Sequence, residues 1–336
     1  MQIDTPSPVL EVSNVRKLYP ISGGLRQFLR QQGSSFVHAL DGISFRLERG
    51  EILGVVGESG SGKSTTALSV LGLINPTEGH IMFDGQDVNQ MVRSRDRMKL
   101  RRQVQMIFQD PYEALNPRQT VYEIVAEPLE VHHIVRTKEE KTERVKIALL
   151  QAGLKPPENY LKRYPGELSG GQRQRVVIAG ALVLQPKLLV ADEPVSMLDV
   201  SIRAEILNLL RQLRDEHGIS ILYITHDLAT AGFFTDRIAV MYLGRIVEIG
   251  KTSEVLKDPI HPYTRALISV IPTTKQDRKQ KRVILQGEIP NPVDIPSGCR
   301  FHPRCPAAID QCRDVDPQLD VKNGRHPVAC IRADET

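Results

Sequence analysis

Short apolar runs alternate with longer amphipathic segments along most of the chain. An apolar run of four to eight residues predicts a buried strand, and apolar residues spaced three and four apart predict a helix. The predicted strands are Glu51–Val56, Val104–Phe108, Lys187–Ala191 and Ser220–Thr225. The predicted helices are Ser64–Leu73, Glu139–Gly153, Gly171–Leu184, Ser201–Glu216 and Leu228–Phe234. Strands that alternate with helices in this way predict an α/β fold.

Two further regions have a different pattern of alternation. Leu10–Tyr19 and Ala39–Leu47 alternate apolar and polar residues, as antiparallel strands do, and the Gly- and Gln-rich stretch Ile21–Ser35 between them predicts a loop. Arg237–Ile249 predicts a hairpin that turns at Gly244. An antiparallel part is therefore expected beside the α/β core.

The last fifth of the chain changes in composition. Thr273–Arg282 is polar, basic and without periodicity, which predicts a linker. Beyond it Pro and Cys become frequent and the hydrophobic period fades, so 283–336 is expected to be a small appended module. The predicted division is a first domain over 1–272, followed by the linker and module over 273–336.

Composition excludes several classes of protein. The chain has 336 residues, 40% of them hydrophobic, so it can bury a core and is not disordered. A net charge of +4 is too small for a dedicated nucleic-acid binder. No apolar stretch is long enough to span a bilayer, and the N-terminal sequence MQIDTPSPVL lacks the features of a secretory signal. A cytosolic protein is expected.

The segment Gly57–Ser64 reads GESGSGKS and fits the pattern G-x-x-x-x-G-K-[ST]. It follows a predicted strand and begins a predicted helix, which is the context that a phosphate-binding loop requires. Its glycines let backbone N–H groups turn inward, and the N-terminus of the helix favours an anion. Lys63 is expected to reach the β- and γ-phosphates of a nucleotide, and the Ser64 hydroxyl to bind Mg²⁺.

A second candidate nucleotide motif is Leu188–Glu193, an apolar strand that ends in two carboxylates. Ligands bind outside the carboxyl ends of parallel strands, so such a strand delivers its carboxylates to the phosphates. Asp192 is placed to hold Mg²⁺ directly or through water. Glu193, one residue on, is placed to polarise the attacking water as a general base.

The segment Leu168–Gln172, LSGGQ, lies between the phosphate loop and this strand. With it the chain resembles the ATP-binding cassette (ABC) family, whose signature this is. Other residues stand in the family's order: Tyr19 at the position of the adenine-stacking aromatic, Gln109 in the Q-loop, Ser196–Asp199 in the D-loop and His226 at the switch histidine. The D-loop carries Met197 where the family usually has a smaller residue.

The resemblance implies an α/β P-loop NTPase cassette: a RecA-like core with an antiparallel β subdomain and an α-helical signature subdomain. It also implies that two ATP molecules, each with Mg²⁺, join two cassettes head to tail. Glu193 would be the base, His226 would hold the γ-phosphate, and Gln109 would sense Mg²⁺ and water. The other residues implied to bind ATP are Tyr19, Gly57, Ser59, Gly60, Ser61, Gly62, Lys63, Ser64, Thr65, Ser169, Gly170, Gly171, Gln172 and Asp199. For Tyr19 a purely structural role in its strand is the alternative.

Non-transport ABC ATPases are the alternative class. DNA-repair and chromosome-type members carry long coiled coils inside the cassette, but no sustained heptads occur between Gln109 and Leu168. Translation-factor types carry two cassettes in one chain, and exporters fuse the cassette to membrane helices. The pattern favours the separate ATPase subunit of a multi-subunit transporter.

Three stretches resemble the ATPase subunits of bacterial oligopeptide/dipeptide importers of the OppF/DppF type: Gln109–Val121, His261–Leu267 and Gly287–Cys330. The resemblance implies a second ATPase subunit, identical or different, two transmembrane permease subunits, an extracytoplasmic solute-binding protein and no nucleic acid. It places the chain at the cytoplasmic face of the bacterial inner membrane, with Tyr112 and Glu113 as candidates for contact with the permease. Nickel and other small-solute importers share much of this pattern, so the cargo stays open.

The four cysteines all lie near the end of the chain, with the spacing C-x5-C-x6-C-x17-C. They are Cys299, Cys305, Cys312 and Cys330. In a cytosolic protein such a cluster favours a metal site over disulfides, and four thiolates suit zinc or an iron–sulfur cluster. Some members of the resembled family carry a 4Fe–4S cluster in this tail, which makes the cluster the favoured prediction. Zinc and reduced thiols without metal are the alternatives.

Overall fold

A computed structural model describes residues 7–21, 36–271, 283 and 285–335. Backbone contacts divide the chain into two compact units. Unit 1 consists of Met1–Leu10, Leu47–Ile52 and Phe83–Ile224, and unit 2 of Glu11–Arg46, Leu53–Met82 and Thr225–Thr336. Of the predicted loop Ile21–Ser35, residues 22–35 lie outside the described residues, and so does the whole predicted linker, 273–282.

The described residues form strands, α-helices and four short 3₁₀ turns. The strands are β1 Leu10–Pro20, β2 Phe36–Leu47, β3 Ile52–Val56, β4 Glu78–Phe83, β5 Gln86–Asp87, β6 Val104–Ile107, β7 Leu188–Asp192, β8 Ser220–Thr225, β9 Arg237–Tyr242, β10 Arg245–Lys251, β11 Asp320–Val321 and β12 Pro327–Val328. The helices are α1 Lys63–Val70, α2 Val88–Arg93, α3 Arg97–Gln103, α4 Pro111–Ala114, α5 Val121–Val131, α6 Lys138–Gln151, α7 Gly170–Leu182, α8 Val200–His217, α9 Leu228–Phe234, α10 Thr252–Lys257 and α11 Pro262–Ser269. The 3₁₀ turns are Pro157–Asn159, Pro165–Glu167, His302–Arg304 and Asp310–Arg313.

Unit 1 is built on parallel strands in the order β8-β7-β6. Leu188 of β7 lies opposite Val104 of β6 and opposite Ser220 of β8. All six residues of β8 and the first four of β7 are buried. This burial explains why both strands have continuous apolar sequences and confirms the predicted parallel arrangement.

The helices α5, α6 and α7 of unit 1 pack on one another. Each begins at a Ser or Thr N-cap, and two of these caps are complete capping boxes: Thr120 with Glu123, and Ser169 with Gln172. In a capping box two side chains satisfy two N–H groups that a helix N-terminus leaves without partners. The helical part predicted by the resemblance is therefore present, although α5 was not predicted from its hydrophobic pattern.

In unit 2, strand β3 runs parallel to β9, and β9 and β10 form the predicted antiparallel hairpin. Its turn consists of Leu243 and Gly244, both with positive φ. The sheet continues antiparallel through β12 to β11 in the order β11-β12-β10-β9-β3. A second sheet has the order β2-β1-β4 in this unit. The N–H of Val9 donates to the Leu47 carbonyl and the N–H of Asn14 to the Ser44 hydroxyl, so β1 and β2 run in opposite directions. This confirms the predicted antiparallel part near the N-terminus.

Residues 283–335, the C-terminal module, are attached to unit 2 by hydrogen bonds and ion pairs. Val328 of β12 pairs with Glu248 of β10, and the N–H of Ala329 donates to the carbonyl of Val247 at 2.8 Å. The guanidinium of Arg300 donates to the Leu243 carbonyl. The module thus extends the sheet that contains β3. The boundary at residue 272 stays a prediction.

The Glu248 carboxylate is fully buried beneath this module. It accepts hydrogen bonds from the N–H of Ile260 at 2.8 Å, from the N–H of His261 at 3.0 Å and from His326 Nε2 at 2.6 Å. A buried carboxylate is tolerated only when its oxygens are satisfied in this way. Glu248 therefore joins β10, the start of α11 and the C-terminal module.

Within the described residues, no helix has both the length and the apolar character needed to cross a membrane.

We expect Glu248→Ala to lower the free energy of unfolding by about 3 kcal/mol, because three buried donors lose their acceptor. Thermal and denaturant unfolding measure the change. The matched control is Glu254→Ala, since the Glu254 side chain is 51% exposed and pairs with Lys251 at the surface. This control is expected to stay within about 0.5 kcal/mol of the unsubstituted protein. Equal effects of the two substitutions would contradict the role given to Glu248.

Candidate functional site

The predicted phosphate loop, Gly57–Ser64, connects β3 to α1 in unit 2. Gly62, the residue before α1, has φ of 106°, a conformation that side chains rarely adopt. A Cβ on Gly62 would lie 2.5 Å from the carbonyl oxygen of Ala39. A Cβ on Gly57 would overlap the carbonyl oxygen of Met241. Both glycines are therefore required by backbone conformation and close packing as well as by the pattern.

Lys63 is the first residue of α1, and only 6% of it is exposed. Its ammonium group donates to the carbonyls of Gly57 at 2.8 Å and Glu58 at 2.9 Å. The side chain thus folds back over the loop that precedes it. Ser64 is exposed at the start of the same helix, and Thr65 is half-buried. This geometry fits a loop that binds an anion at a helix N-terminus.

The two other candidate residues of unit 2 lie on β1 and after β8. Tyr19 is half-buried on β1, with the ammonium of Lys17 4.9 Å from its ring centroid, and burial raises the pKa of its hydroxyl. His226 is exposed immediately after β8. The next residue, Asp227, caps α9 by accepting from the N–H groups of Ala229 and Thr230. This cap fixes the backbone beside His226.

In unit 1 the structure brings together two of the predicted catalytic residues. Gln109 Nε2 donates to Glu193 Oε2 at 3.2 Å. Glu193 follows β7 with φ of 47°, in the left-handed region where a residue with a side chain is strained. Its N–H donates to the Ile224 carbonyl, and its own carbonyl accepts from the N–H and hydroxyl of Ser196. These bonds hold the strained residue in place, one position after the half-buried Asp192.

The signature segment, Leu168–Gln172, begins α7. Ser169 Oγ accepts from the Gln172 N–H at 3.3 Å, and Gln172 Oε1 accepts from the Ser169 N–H at 3.1 Å. A Cβ on Gly171 would lie 2.7 Å from Cγ2 of Ile202, so only glycine lets α8 approach this closely. The pattern S-x-x-Q, which is a helix-start signal, could have predicted this cap from the sequence alone.

The predicted D-loop leads into α8. A Cβ on Gly170 would be 3.6 Å from Cδ2 of Leu198, so the signature helix and the D-loop lie in contact. Asp199 precedes α8 and is exposed, as are Met197 and Val200, at 60% and 81%. The D-loop therefore exposes two large apolar side chains close to the signature segment.

Arg173 forms a contact that the sequence did not predict. Its guanidinium lies 4.1 Å from the ring centroid of Tyr112, a residue 61% exposed, and its Nε donates to the Pro165 carbonyl at 2.7 Å. The Asp110 carboxylate accepts from the Tyr112 N–H and begins α4. Arg173 therefore links the candidate permease contact, Tyr112 and the exposed Glu113, to the signature helix.

The four cysteines lie in the C-terminal module. Cys312 is buried and the other three are partly buried. Burial raises the pKa of the Cys299 thiol to about 11 and raises those of Cys305 and Cys330, and the neighbouring cysteines raise all three further.

In the described part of the chain, no three His, Cys, Asp or Glu side chains are arranged to hold a metal ion. The iron–sulfur or zinc site predicted at Cys299, Cys305, Cys312 and Cys330 is therefore not supported by the structure.

Comparison with known proteins is consistent with this geometry. The family model described as ABC transporter matches residues 40–196, and the model described as the C-terminal region of oligopeptide/dipeptide transporters matches residues 247–312. The chain is 45% identical over 324 residues to the oligopeptide transport ATP-binding protein AppF of Bacillus subtilis, covering 96% of each chain. It is 46% identical over 328 residues to the oligopeptide transport ATP-binding protein OppF of Escherichia coli, covering 97% of this chain and 96% of that one.

Among solved structures, the chain is similar to the ATP-binding cassette MJ0796, seen as a dimer in a post-hydrolysis state bound to ADP and Pi. The TM-score is 0.61 at 32% sequence identity, over 72% of this chain and 98% of that one. The similarity confirms the cassette fold predicted from the sequence.

Proposed function

Because the chain belongs to the family of ABC transporter ATP-binding proteins, we propose that it is the ATPase subunit that powers peptide import through a membrane permease. One observation carries the choice of peptide as cargo. The relatives named for oligopeptide transport align over 96–97% of the chain, including the C-terminal region that carries that family's description. Nothing observed favours nickel or another small solute.

The phosphate loop supplies the groups that bind MgATP in this proposal. Backbone N–H groups of Gly57–Ser64 and the ammonium of Lys63 bind the β- and γ-phosphates. Ser64 binds Mg²⁺, with Asp192 and Gln109 as the further candidates, and Tyr19 stacks on the adenine. The other residues proposed to bind ATP are Thr65, Ser169, Gly170, Gly171, Gln172 and Asp199. The support from this chain is the inward fold of Lys63 onto the loop carbonyls.

In the same proposal, the carboxylate of Glu193 accepts a proton from the water that attacks the γ-phosphorus. Gln109, which donates to this carboxylate, orients it, and His226 contacts the γ-phosphate. The strained backbone of Glu193 supports the assignment, because strained residues held by several bonds occur often at catalytic positions.

A second cassette, identical or different, completes each ATP site by offering its own Ser169 and Gly171 to the γ-phosphate. The dimeric cassette MJ0796 and the exposed Met197 and Val200 support this pairing. Two permease subunits contact Tyr112 and Glu113, and a solute-binding protein delivers the peptide. The chain then acts at the cytoplasmic face of the membrane without spanning it.

The whole proposal is tested by reconstituting the chain with its permease in lipid vesicles. ATP hydrolysis is expected to rise several-fold when the solute-binding protein is added with bound peptide, because ATP-driven closure is coupled to cargo delivery. The same protein without peptide is the control. Stimulation by nickel instead of peptide, or ATPase activity indifferent to the permease, would contradict the proposal.

We expect Glu193→Gln to lower kcat for ATP hydrolysis by about 10² to 10⁴, since general-base catalysis contributes that much, and to leave ATP affinity unchanged. Lys63→Ala should instead weaken ATP binding itself. Phosphate release and the binding of a fluorescent ATP analogue measure the two effects. The matched control is Glu205→Gln, because Glu205 is a 57% exposed residue of α8 that pairs with Arg175. Normal turnover in Glu193→Gln would show that another group is the base.

The 4Fe–4S cluster at the cysteines, with zinc as the alternative, stays a prediction from the sequence, and no step proposed here uses it. Its support is that the four thiols share one small module and that Cys305, Cys312 and Cys330 all contribute to raising the pKa of the Cys299 thiol. A cluster would give anaerobically purified protein visible absorption and acid-labile sulfide, both lost in Cys312→Ser. Colourless protein with four titratable thiols and no bound metal would leave the thiols reduced and metal-free.

A further inference from the structure

Glu58, the second residue of the phosphate loop, is held by all three of its polar groups. Its N–H donates to the Tyr263 hydroxyl at 2.9 Å, and its carbonyl accepts from the Lys63 ammonium at 2.9 Å. Its carboxylate receives both terminal nitrogens of Arg304, at 2.7 and 3.1 Å. Two parallel N–H···O bonds of this kind fix the orientation of both partners. The conformation of the loop at Glu58 therefore depends on α11 and on the C-terminal module.

The ion pair between Arg304 and Glu58 is shielded from solvent. The Arg304 side chain is 7% exposed and that of Glu58 is 27% exposed. The carboxylate of Glu58 raises the pKa of the guanidinium, and the hydroxyl of Tyr242 also contributes. Shielding distinguishes this pair from the surface ion pairs of the module, such as Arg325 with the 66% exposed Asp258. Removing one partner of a shielded pair strongly lowers the stability of the fold, because the other charge is left buried without a partner. A surface pair contributes little to stability.

An aromatic cluster holds Arg304 and Tyr263 in the same rigid environment. Phe301, one residue before the 3₁₀ turn that ends at Arg304, is 1% exposed. Its ring centroid lies 5.2 Å from that of Tyr242 and 5.4 Å from that of Tyr263. Tyr242 and Tyr263 are themselves 4.9 Å apart. The turn that carries Arg304 and the hydroxyl that binds the Glu58 N–H are thus packed on shared side chains.

The charge of Glu58 makes this contact relevant to ATP. A carboxylate in a loop that binds a triphosphate repels the ligand unless a cation neutralises it. The ammonium of Lys63 binds the backbone carbonyl of Glu58 and not its carboxylate. The carboxylate of Glu58 is neutralised by the guanidinium of Arg304. Without Arg304, the loop would present an uncompensated negative charge and lose the bonds that fix Glu58.

We propose that Arg304 is a positioning residue for ATP binding: it neutralises and holds Glu58, and through it sets the affinity of the phosphate loop for ATP. The C-terminal module is then part of the nucleotide-binding machinery, although it touches no phosphate. The inference rests on the proposed role of Gly57–Ser64 as the ATP-binding loop.

The test compares variants of the full chain by equilibrium binding of a fluorescent ATP analogue. Arg304→Gln keeps most of the side-chain volume and removes the charge, and it is expected to weaken ATP binding about tenfold, or about 1.4 kcal/mol. KM for ATP should rise correspondingly, with little change in kcat. The double variant Glu58→Gln with Arg304→Gln is expected to recover the affinity to within about twofold, because the repelling carboxylate is also gone.

Two controls separate a positioning role from a structural one. Arg325→Gln removes an arginine from the same module and is expected to leave ATP binding unchanged. Circular dichroism and thermal unfolding check that each variant is folded. Unchanged ATP affinity in Arg304→Gln would overturn the proposal. So would a loss that is equally large in the double variant, since that loss would come from damage to the module rather than from the charge of Glu58.

If Arg304→Gln does not fold, the ATP affinity of the single variant Glu58→Gln tests the proposal. The proposal expects this variant to bind ATP at least as tightly as the unsubstituted chain, and a tenfold loss would overturn it. Lys63→Ala distinguishes a failure of the underlying function. Unchanged ATP affinity in Lys63→Ala would contradict the proposed ATP-binding role of the loop itself. If ATP affinity falls in Lys63→Ala, the result for Arg304→Gln tests the positioning role of Arg304 alone.

Discussion

Close backbone contact around Gly57–Ser64 is the constraint on which the candidate site of unit 2 depends. Gly57 faces the Met241 carbonyl of β9 and Gly62 the Ala39 carbonyl of β2, with no room for a Cβ at either glycine. On the same loop, the carbonyl of Ser61 accepts from the Gly244 N–H at 2.9 Å. The loop is thus fixed from several sides before any ligand arrives, and a fixed loop need not lose conformational entropy when an anion binds.

Unit 1 fixes its catalytic candidates in a different way. Glu193 directly follows the buried strand β7 and has a strained backbone conformation. Its N–H and its carbonyl are both hydrogen-bonded. The side chain of Gln109 then donates to its carboxylate. Strain of about 1–3 kcal/mol at such a residue persists only when the surroundings determine its conformation. The buried parallel strands β6, β7 and β8 supply that rigidity.

The sequence predicted the central elements well because their signals are local. Strands β3, β6, β7 and β8 are apolar runs, and helix α8 has a clear amphipathic pattern with Leu210 and Leu213 buried. Helix α5 was missed because Pro128 interrupts its pattern, although the capping box of Thr120 and Glu123 marks its start. Its stability comes from packing against α6 and α7, which no local pattern expresses.

For the candidate site, local motifs identified the phosphate loop, the carboxylates and the signature segment but not the residues that hold them. Tyr263 and Arg304 are 205 and 246 residues away from Glu58 in sequence. No periodicity or spacing connects residues so far apart. The same holds for Arg173 and Tyr112, whose contact depends on how α4 lies against α7. The cysteine cluster stays a prediction, since clustering in sequence alone does not determine whether four thiols bind one metal centre.

The contacts of the C-terminal module explain why its sequence has little hydrophobic periodicity. Its apolar contacts include Phe301 against Tyr242 and Tyr263, and Val328 and Ala333 against Ile260. It is attached as well by polar groups that meet buried or partly buried partners. Arg300 pairs with Asp41, His326 with Glu248 and Arg304 with Glu58. Polar contacts of this kind add less stability than apolar burial but permit only one arrangement, because a displaced partner leaves a buried group unsatisfied. A module attached in this way can hold a loop in one conformation without a large core of its own.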